Sequence, residues 1–185
     1  MLRTTVLKLH PLTEEELAQL AAIRAERTYA KGEHLLYAGD VCRGLFFVES
    51  GAVGLYGLRD GKEVFQDFFL PGTFATDITS LAGQSPAALF LRALEPTTVA
   101  YIRRDDLLEL YAKSEGFQHF GRKVLEGLLV ARTNHSVRQT TLSARERYDD
   151  LTARQPELLE RIPLQYLATY LGMTRETLSR ARRKK

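Results

Sequence analysis

Cysteine is nearly absent: Cys42 stands alone in 185 residues. An intrachain disulfide is therefore excluded, and so is any thiolate metal or iron–sulfur site built by this chain. Redox sensing by Cys42 is possible chemistry, but a lone cysteine is more often a small buried hydrophobe. Histidine is sparse and scattered, at His10, His34, His119 and His135. Neither haem nor a histidine metal cluster is signalled, and no cofactor is expected. No HxH pair, nucleophile elbow or phosphate-cradling loop occurs, which argues against an enzyme. No apolar run approaches the ~18 residues of a membrane span. The opening "MLRTTVLKLHPL" has no long apolar core and no small-residue cleavage site. The expectation is a cytoplasmic protein without a membrane partner. Internal repeats and low-complexity tracts are also missing.

What is present is ordinary globular composition, 44% hydrophobic and 26% charged, with an uneven charge distribution. The chain carries +3, yet residues 175–185 alone hold six basic side chains against Glu176, a local +5. The rest of the chain sums to −2. A near-neutral body with a basic end points to a polyanion at that end.

Thr13 and Glu16 form a capping box, with Leu12 and Leu17 as its apolar staple. From Arg27 to Ile102, short aromatic and β-branched runs alternate with glycine turns, as in "LFFVESGAVGLYGLRDGKEVFQDFFLPG". That texture predicts an all-β sandwich or barrel, with "RDGK" (Arg59–Lys62) as its clearest hairpin. After Ile102 the strands stop. A helix is expected from Asp105 or Asp106. One long helix of about 26 residues follows, roughly 39 Å at 1.5 Å per residue. Its Phe117, Phe120, Val124, Leu128, Ala131, His135, Arg138 and Leu142 recur at 3–4 spacing, a stripe suited to a partner helix. A competing reading packs this stripe on the β unit, and both can hold if two faces are used. Ser143 and Glu146 make a second capping box, so a boundary is expected at Leu142–Ser143. Pro156 and Pro163 suit first turns of short helices.

Residues 164–183 match a helix-turn-helix. Leu164, Leu167, Ala168 and Leu171 give the buried face of the first helix, and Ala168 is small enough for a close crossing. Gly172 stands where the turn needs a left-handed residue. Met173, Leu178 and Ala181 bury the second helix, and Thr174 suits its cap. Arg175, Glu176, Ser179 and Arg180 remain on the outer face, with chemistry for base edges: arginine to guanine, glutamate to cytosine. Thr174, Arg182, Arg183, Lys184 and Lys185 suit phosphates.

A β-roll, a long helix and a helix-turn-helix ending in "TRETLSR" together resemble the Crp/Fnr family of bacterial transcription regulators, over nearly the whole chain. Gly39, Gly51 and Pro71–Gly72 fit the family's turns. The resemblance implies an α+β chain with an antiparallel, jelly-roll-like β-roll and flanking helices. It implies a sensor unit over 1–142 that includes the long helix (about 115–142), and a DNA-binding unit over 143–185. It further implies a homodimer seamed along Phe117, Phe120, Val124, Leu128 and Ala131. The partners implied are double-stranded DNA, RNA polymerase and a possible small-molecule effector. Arg175, Glu176 and Arg180 occupy the family's Arg-Glu-x-x-x-Arg positions.

There are two departures. The family usually adds a β-hairpin wing after the recognition helix, and none is expected within these 185 residues. In the cyclic-nucleotide-binding members, Gly-Glu-Leu and an Arg-Ser or Arg-Thr pair hold the ribose and the cyclic phosphate. Here Thr76-Asp77-Ile78 and Ala87-Ala88 stand in those places, and Arg92 lies too far along the strand to substitute. With Phe74, these residues make the candidate effector pocket, and cyclic AMP is expected not to bind it with useful affinity. The alternatives are a dimeric ligand-binding or interaction module with a vestigial DNA-binding unit, or a regulator that still takes a cyclic nucleotide.

Overall fold

A computed structural model of the chain describes residues 1–183. Two helices open it, α1 (Leu2–Leu9) and α2 (Glu14–Ala22). The Thr13–Glu16 capping box closes reciprocally at the start of α2. The sequence reading gave α1 no element. It is set by Leu2, Val6 and Leu9 at helical spacing, with Leu2 and Val6 buried.

Eight strands follow: β1 (Arg24–Tyr29), β2 (His34–Leu36), β3 (Gly44–Ser50), β4 (Val53–Arg59), β5 (Lys62–Phe69), β6 (Phe74–Ala75), β7 (Phe90–Ala93) and β8 (Thr97–Arg103). A short helix, α3 (Ile78–Gly83), interrupts them. They form two four-stranded antiparallel sheets, ordered β1-β8-β3-β6 and β2-β7-β4-β5. This is the predicted roll. The "RDGK" hairpin joins β4 to β5 with Arg59 opposite Lys62. Asp60 and Gly61 both have positive φ, 53° and 72°, as a two-residue hairpin turn requires. Aromatic residues fill the roll, with Phe47 on Phe74 and Phe46 on Tyr101 at about 5 Å between ring centres.

Five helices and one long one complete the chain. They are α4 (Arg104–Lys113), α5 (Glu115–Thr141), α6 (Ala144–Arg154), α7 (Pro156–Arg161), α8 (Leu164–Tyr170) and α9 (Arg175–Arg183). α4 begins at Arg104, ahead of the expected Asp105 or Asp106, which leaves both carboxylates in its first turn. α5 has 27 residues. Its C-terminus is closed by Arg147, whose guanidinium donates to the carbonyls of Gln139 and Leu142. The second capping box starts α6 at Ser143.

Two apolar cores result. One fills the roll and takes in Leu107 and Leu110 of α4 and Phe117, Phe120 and Val124 of α5. The other lies between the β2-β7-β4-β5 sheet and the C-terminal helices, with Tyr56, Phe65 and Phe68 facing Leu158, Leu167 and Tyr170.

Candidate nucleic-acid interface and effector region

The turn between α8 and α9 is built from backbone chemistry. Gly172 has φ +63°. Its N–H donates to the Thr169 carbonyl, and the Met173 N–H donates to Ala168, at 3.0 and 2.9 Å. That pair of bonds is a Schellman cap, which wants a left-handed glycine. Thr174 Oγ1 accepts from the Thr177 N–H at 3.2 Å and so starts α9. Leu178 is fully buried, and Leu167, Ala168 and Leu171 are buried beside it. The opposite face of α9 is left outside: Arg175, Glu176 and Arg180 are exposed and Ser179 is half-buried. Glu176 is held below the usual carboxylate range by its own backbone N–H, the Thr174 hydroxyl, and then Arg175 and Arg180. A single anion thus sits between two guanidinium groups on one face.

Arg182 and Arg183 continue this exposed basic surface. Lys184 and Lys185 lie outside the described residues. Sequence patterning missed Arg145, which fixes α9 from below. Its guanidinium donates to the Ala181 carbonyl and to Asp149 Oδ2, at 2.6 and 2.7 Å.

The expected effector pocket is not one place. Asp77 caps α3, accepting from the N–H groups of Thr79 and Ser80 at 3.1 and 3.2 Å. Its carboxylate is committed to that short helix, which corrects its assignment to a ligand. Thr76 bonds the Gly44 carbonyl and meets Cys42 Sγ, each at 3.3 Å. Cys42 is buried there as a packing residue. Ala87 is in the roll core, held through Asp40 and Gly39, while Ala88 points out to solvent. Arg92 is engaged elsewhere, paired with Glu63 and lying over the Tyr56 ring.

Thr76 and Ile78 do line a void, with Leu128, Arg132 and His135 of α5, but it measures only about 40 Å³. That is room for about one water. Phe74 lines a different cavity of about 300 Å³, between α1, the end of β5 and α5. Asp67 borders both spaces. Burial pushes its carboxyl up to about 6, against the Phe68 N–H and the Arg132 charge. An acidic residue inside the aromatic run "FQDFFL" was a legible signal that the sequence reading passed over.

Of the dimer stripe, Phe117, Phe120 and Val124 are buried in this chain's own roll, Leu128 packs partly on it, and His135 stacks on Tyr170 at 4.4 Å. Phe117, Phe120 and Val124 are thus taken up within this chain, while Leu128 keeps part of its surface free. Ala131 is exposed at the edge of the cavity. The opposite face of α5 carries Leu125, Leu129, Val130 and Val137, which are 48%, 67%, 56% and 50% exposed.

The cyclic nucleotide-binding domain family model matches residues 26–114. The chain is 28% identical over 184 residues to the fumarate and nitrate reduction regulatory protein of Escherichia coli K12, covering 91% of this chain and 72% of that one. Among solved structures, FixK2 of Bradyrhizobium japonicum superposes with a TM-score of 0.74 at 24% identity, covering 86% of this chain and 82% of that one. The catabolite activator protein of Thermus thermophilus superposes with a TM-score of 0.61 at 25% identity, covering 96% and 84%. Among the described residues, no helix is long and apolar enough to cross a membrane.

Proposed function

We propose that the chain, similar over most of its length to Crp/Fnr-family bacterial transcription regulators, is a homodimeric, sequence-specific DNA-binding protein of that family. Arg175, Glu176, Ser179 and Arg180 face base edges in the major groove, and Thr174, Arg182 and Arg183 meet phosphates. Lys184 and Lys185 are assigned to phosphates on charge alone. One observation carries this reading: α9 keeps Leu178 wholly inside while its two arginines and Glu176 stand exposed on the other side. A helix seated on a preceding helix with its charged face outward is the arrangement a major-groove reader needs.

In this reading the two copies meet along Leu125, Leu129, Val130 and Val137, which places an α9 in each of two successive major grooves. RNA polymerase is the further partner. The sensor half does not serve cyclic AMP, because Ala87 and Ala88 supply no cation for its phosphate and the void beside Thr76 is too small for its base.

Operator selection from random duplexes, followed by anisotropy titration, tests both parts. Arg180→Ala should weaken the selected operator by about 1–3 kcal/mol and relax preference at one base pair. Millimolar cyclic AMP should leave the titration unchanged. If Arg180→Ala binds every duplex as the parent does, direct readout by α9 is wrong, and a vestigial DNA-binding unit becomes the better reading.

A further inference from the structure

The cavity of about 300 Å³ beside Phe74 is a different space from the small void beside Thr76. Its walls come from three places far apart in sequence: Leu9 of α1, Phe69 and Phe74 of the roll, and Leu128 of α5. Gln155, at the junction of α6 and α7, closes one side. The volume is at the lower end of the range for small-molecule pockets, about 300–1,000 Å³.

Its polar groups are few and unequal. Lys123 lies at the mouth with its ammonium on Glu126 at 2.9 Å. Thr73 Oγ1 donates to the Leu70 carbonyl at 2.8 Å. Asp67 differs: among the described residues its carboxylate accepts one hydrogen bond, from the adjacent Phe68 N–H at 2.8 Å. A carboxylate has about four acceptor sites, so most of its capacity is unused.

The geometry points to a ligand site in this cavity for a compact apolar molecule bearing an amine or similar N–H-donating nitrogen, with Asp67 as its acceptor. An anionic head would have to compete with Glu126 for Lys123 and would meet Asp67 with like charge. A cationic head meets a carboxylate in surroundings that strengthen the contact. Burial comes first in setting the ionisation of Asp67, opposed by the Phe68 N–H and the Arg132 charge; Lys123 and His135 of α5 line the adjoining spaces, and Tyr170 of α8 is close enough for Asp67 to raise its phenol. With that carboxyl pushed up to about 6, amine binding weakens as pH falls below this value. Because Gln155 belongs to the C-terminal helices, an occupant touches both halves of the molecule. Its use as an effector rests on the DNA-binding reading, but its binding does not.

Calorimetry on the full chain at pH 7.5 with phenethylamine and 3-phenylpropionate separates the possibilities, since the two share an apolar body. The amine should bind roughly tenfold or more tightly than the acid, the scale of one charge-assisted hydrogen bond. Asp67→Asn should remove that preference. Gly127→Leu should abolish binding of both, because Gly127 borders the opening and a Cβ there meets nothing within 4 Å. Circular dichroism confirms that each variant is folded. Equal or tighter binding of the acid, a preference that survives Asp67→Asn, binding untouched by Gly127→Leu, or no binding of either probe at millimolar concentration would each overturn the site. Loss of operator binding alone would count only against the DNA-binding reading.

Discussion

Asp67 is the residue whose surroundings work hardest against its own charge. Its folded value of about 6 lies above the ordinary 3.8. The folded state therefore holds a proton that the unfolded state has released between those two values. Stability from this group is fully present below about pH 4 and is lost as pH rises through about 6, a change of about 3 kcal/mol. Asp150 and Glu146 behave oppositely. Arg154 depresses Asp150 first, Ser143 depresses Glu146 first, and both lose stability on acidification. The parent's pH curve mixes these effects, but a difference against Asp67→Asn isolates one. The neutral amide can still accept from Phe68, so the variant should gain on the parent as pH rises from 4 to 7.5. Urea midpoints of both proteins across that range measure the gain, and a constant difference would remove the argument. This residue also marks a limit of pattern reading. An aspartate among phenylalanines was visible, but the cavity beside it depends on α1 and α5 arriving from elsewhere in the chain.

At the scale of elements, α5 shows how a periodic stripe can be read correctly as helix while its neighbour stays open between the roll and a second copy. Phe117, Phe120, Val124 and Leu128 are spaced for a helix, and the helix is there. Spacing cannot say what the stripe touches. The aromatic residues went to the larger apolar surface, the open side of the roll beside Phe74, where Phe120 meets that ring edge-on at 6.2 Å. The weaker stripe of Leu125, Leu129, Val130 and Val137 was left for the outside. The locally encoded features were the legible ones: both capping boxes, the Asp60–Gly61 turn and the Gly172 cap each need only a few adjacent residues. The six-residue pocket and the seam, by contrast, required knowing which distant surfaces meet. A paired substitution tests the reassignment. Leu129→Glu should keep its circular dichroism and turn the protein into a monomer by sedimentation velocity. Val124→Glu should instead unfold the roll, because a charge buried there costs several kcal/mol. A Leu129→Glu protein that stays dimeric would move the interface off this face.

At the scale of the molecule, α5 ends at Thr141 and α6 begins at Ala144, but the packing runs across that junction. Phe65 and Phe68 of β5 meet Tyr166 and Tyr170 of α8, with ring centres 4.4 and 5.2 Å apart. The Phe65 N–H donates to Thr169 Oγ1 at 3.1 Å, which gives an edge strand a partner from the C-terminal helices. Arg161 reaches the Gly51 carbonyl at 2.9 Å and pairs with Glu95. Gln139 of α5 donates to the Tyr170 carbonyl, so the long helix is tied to the same place. The second core thus draws on both sides of the boundary, and the short helices α7 and α8, of six and seven residues, are too short to hold alone in water. Cooperative unfolding of the whole chain follows. Phe68→Ala removes a buried ring from the roll's side of this core, at a cost of about 3–5 kcal/mol. In urea, tyrosine fluorescence (which samples all eight tyrosines, in the roll and in the C-terminal helices alike) and far-ultraviolet circular dichroism should shift to lower concentration together, in one coincident transition. If the fluorescence moves while the dichroism of the remaining helices stays, the C-terminal unit is only resting on the sheet, and the shared core contributes nothing to the stability of the roll.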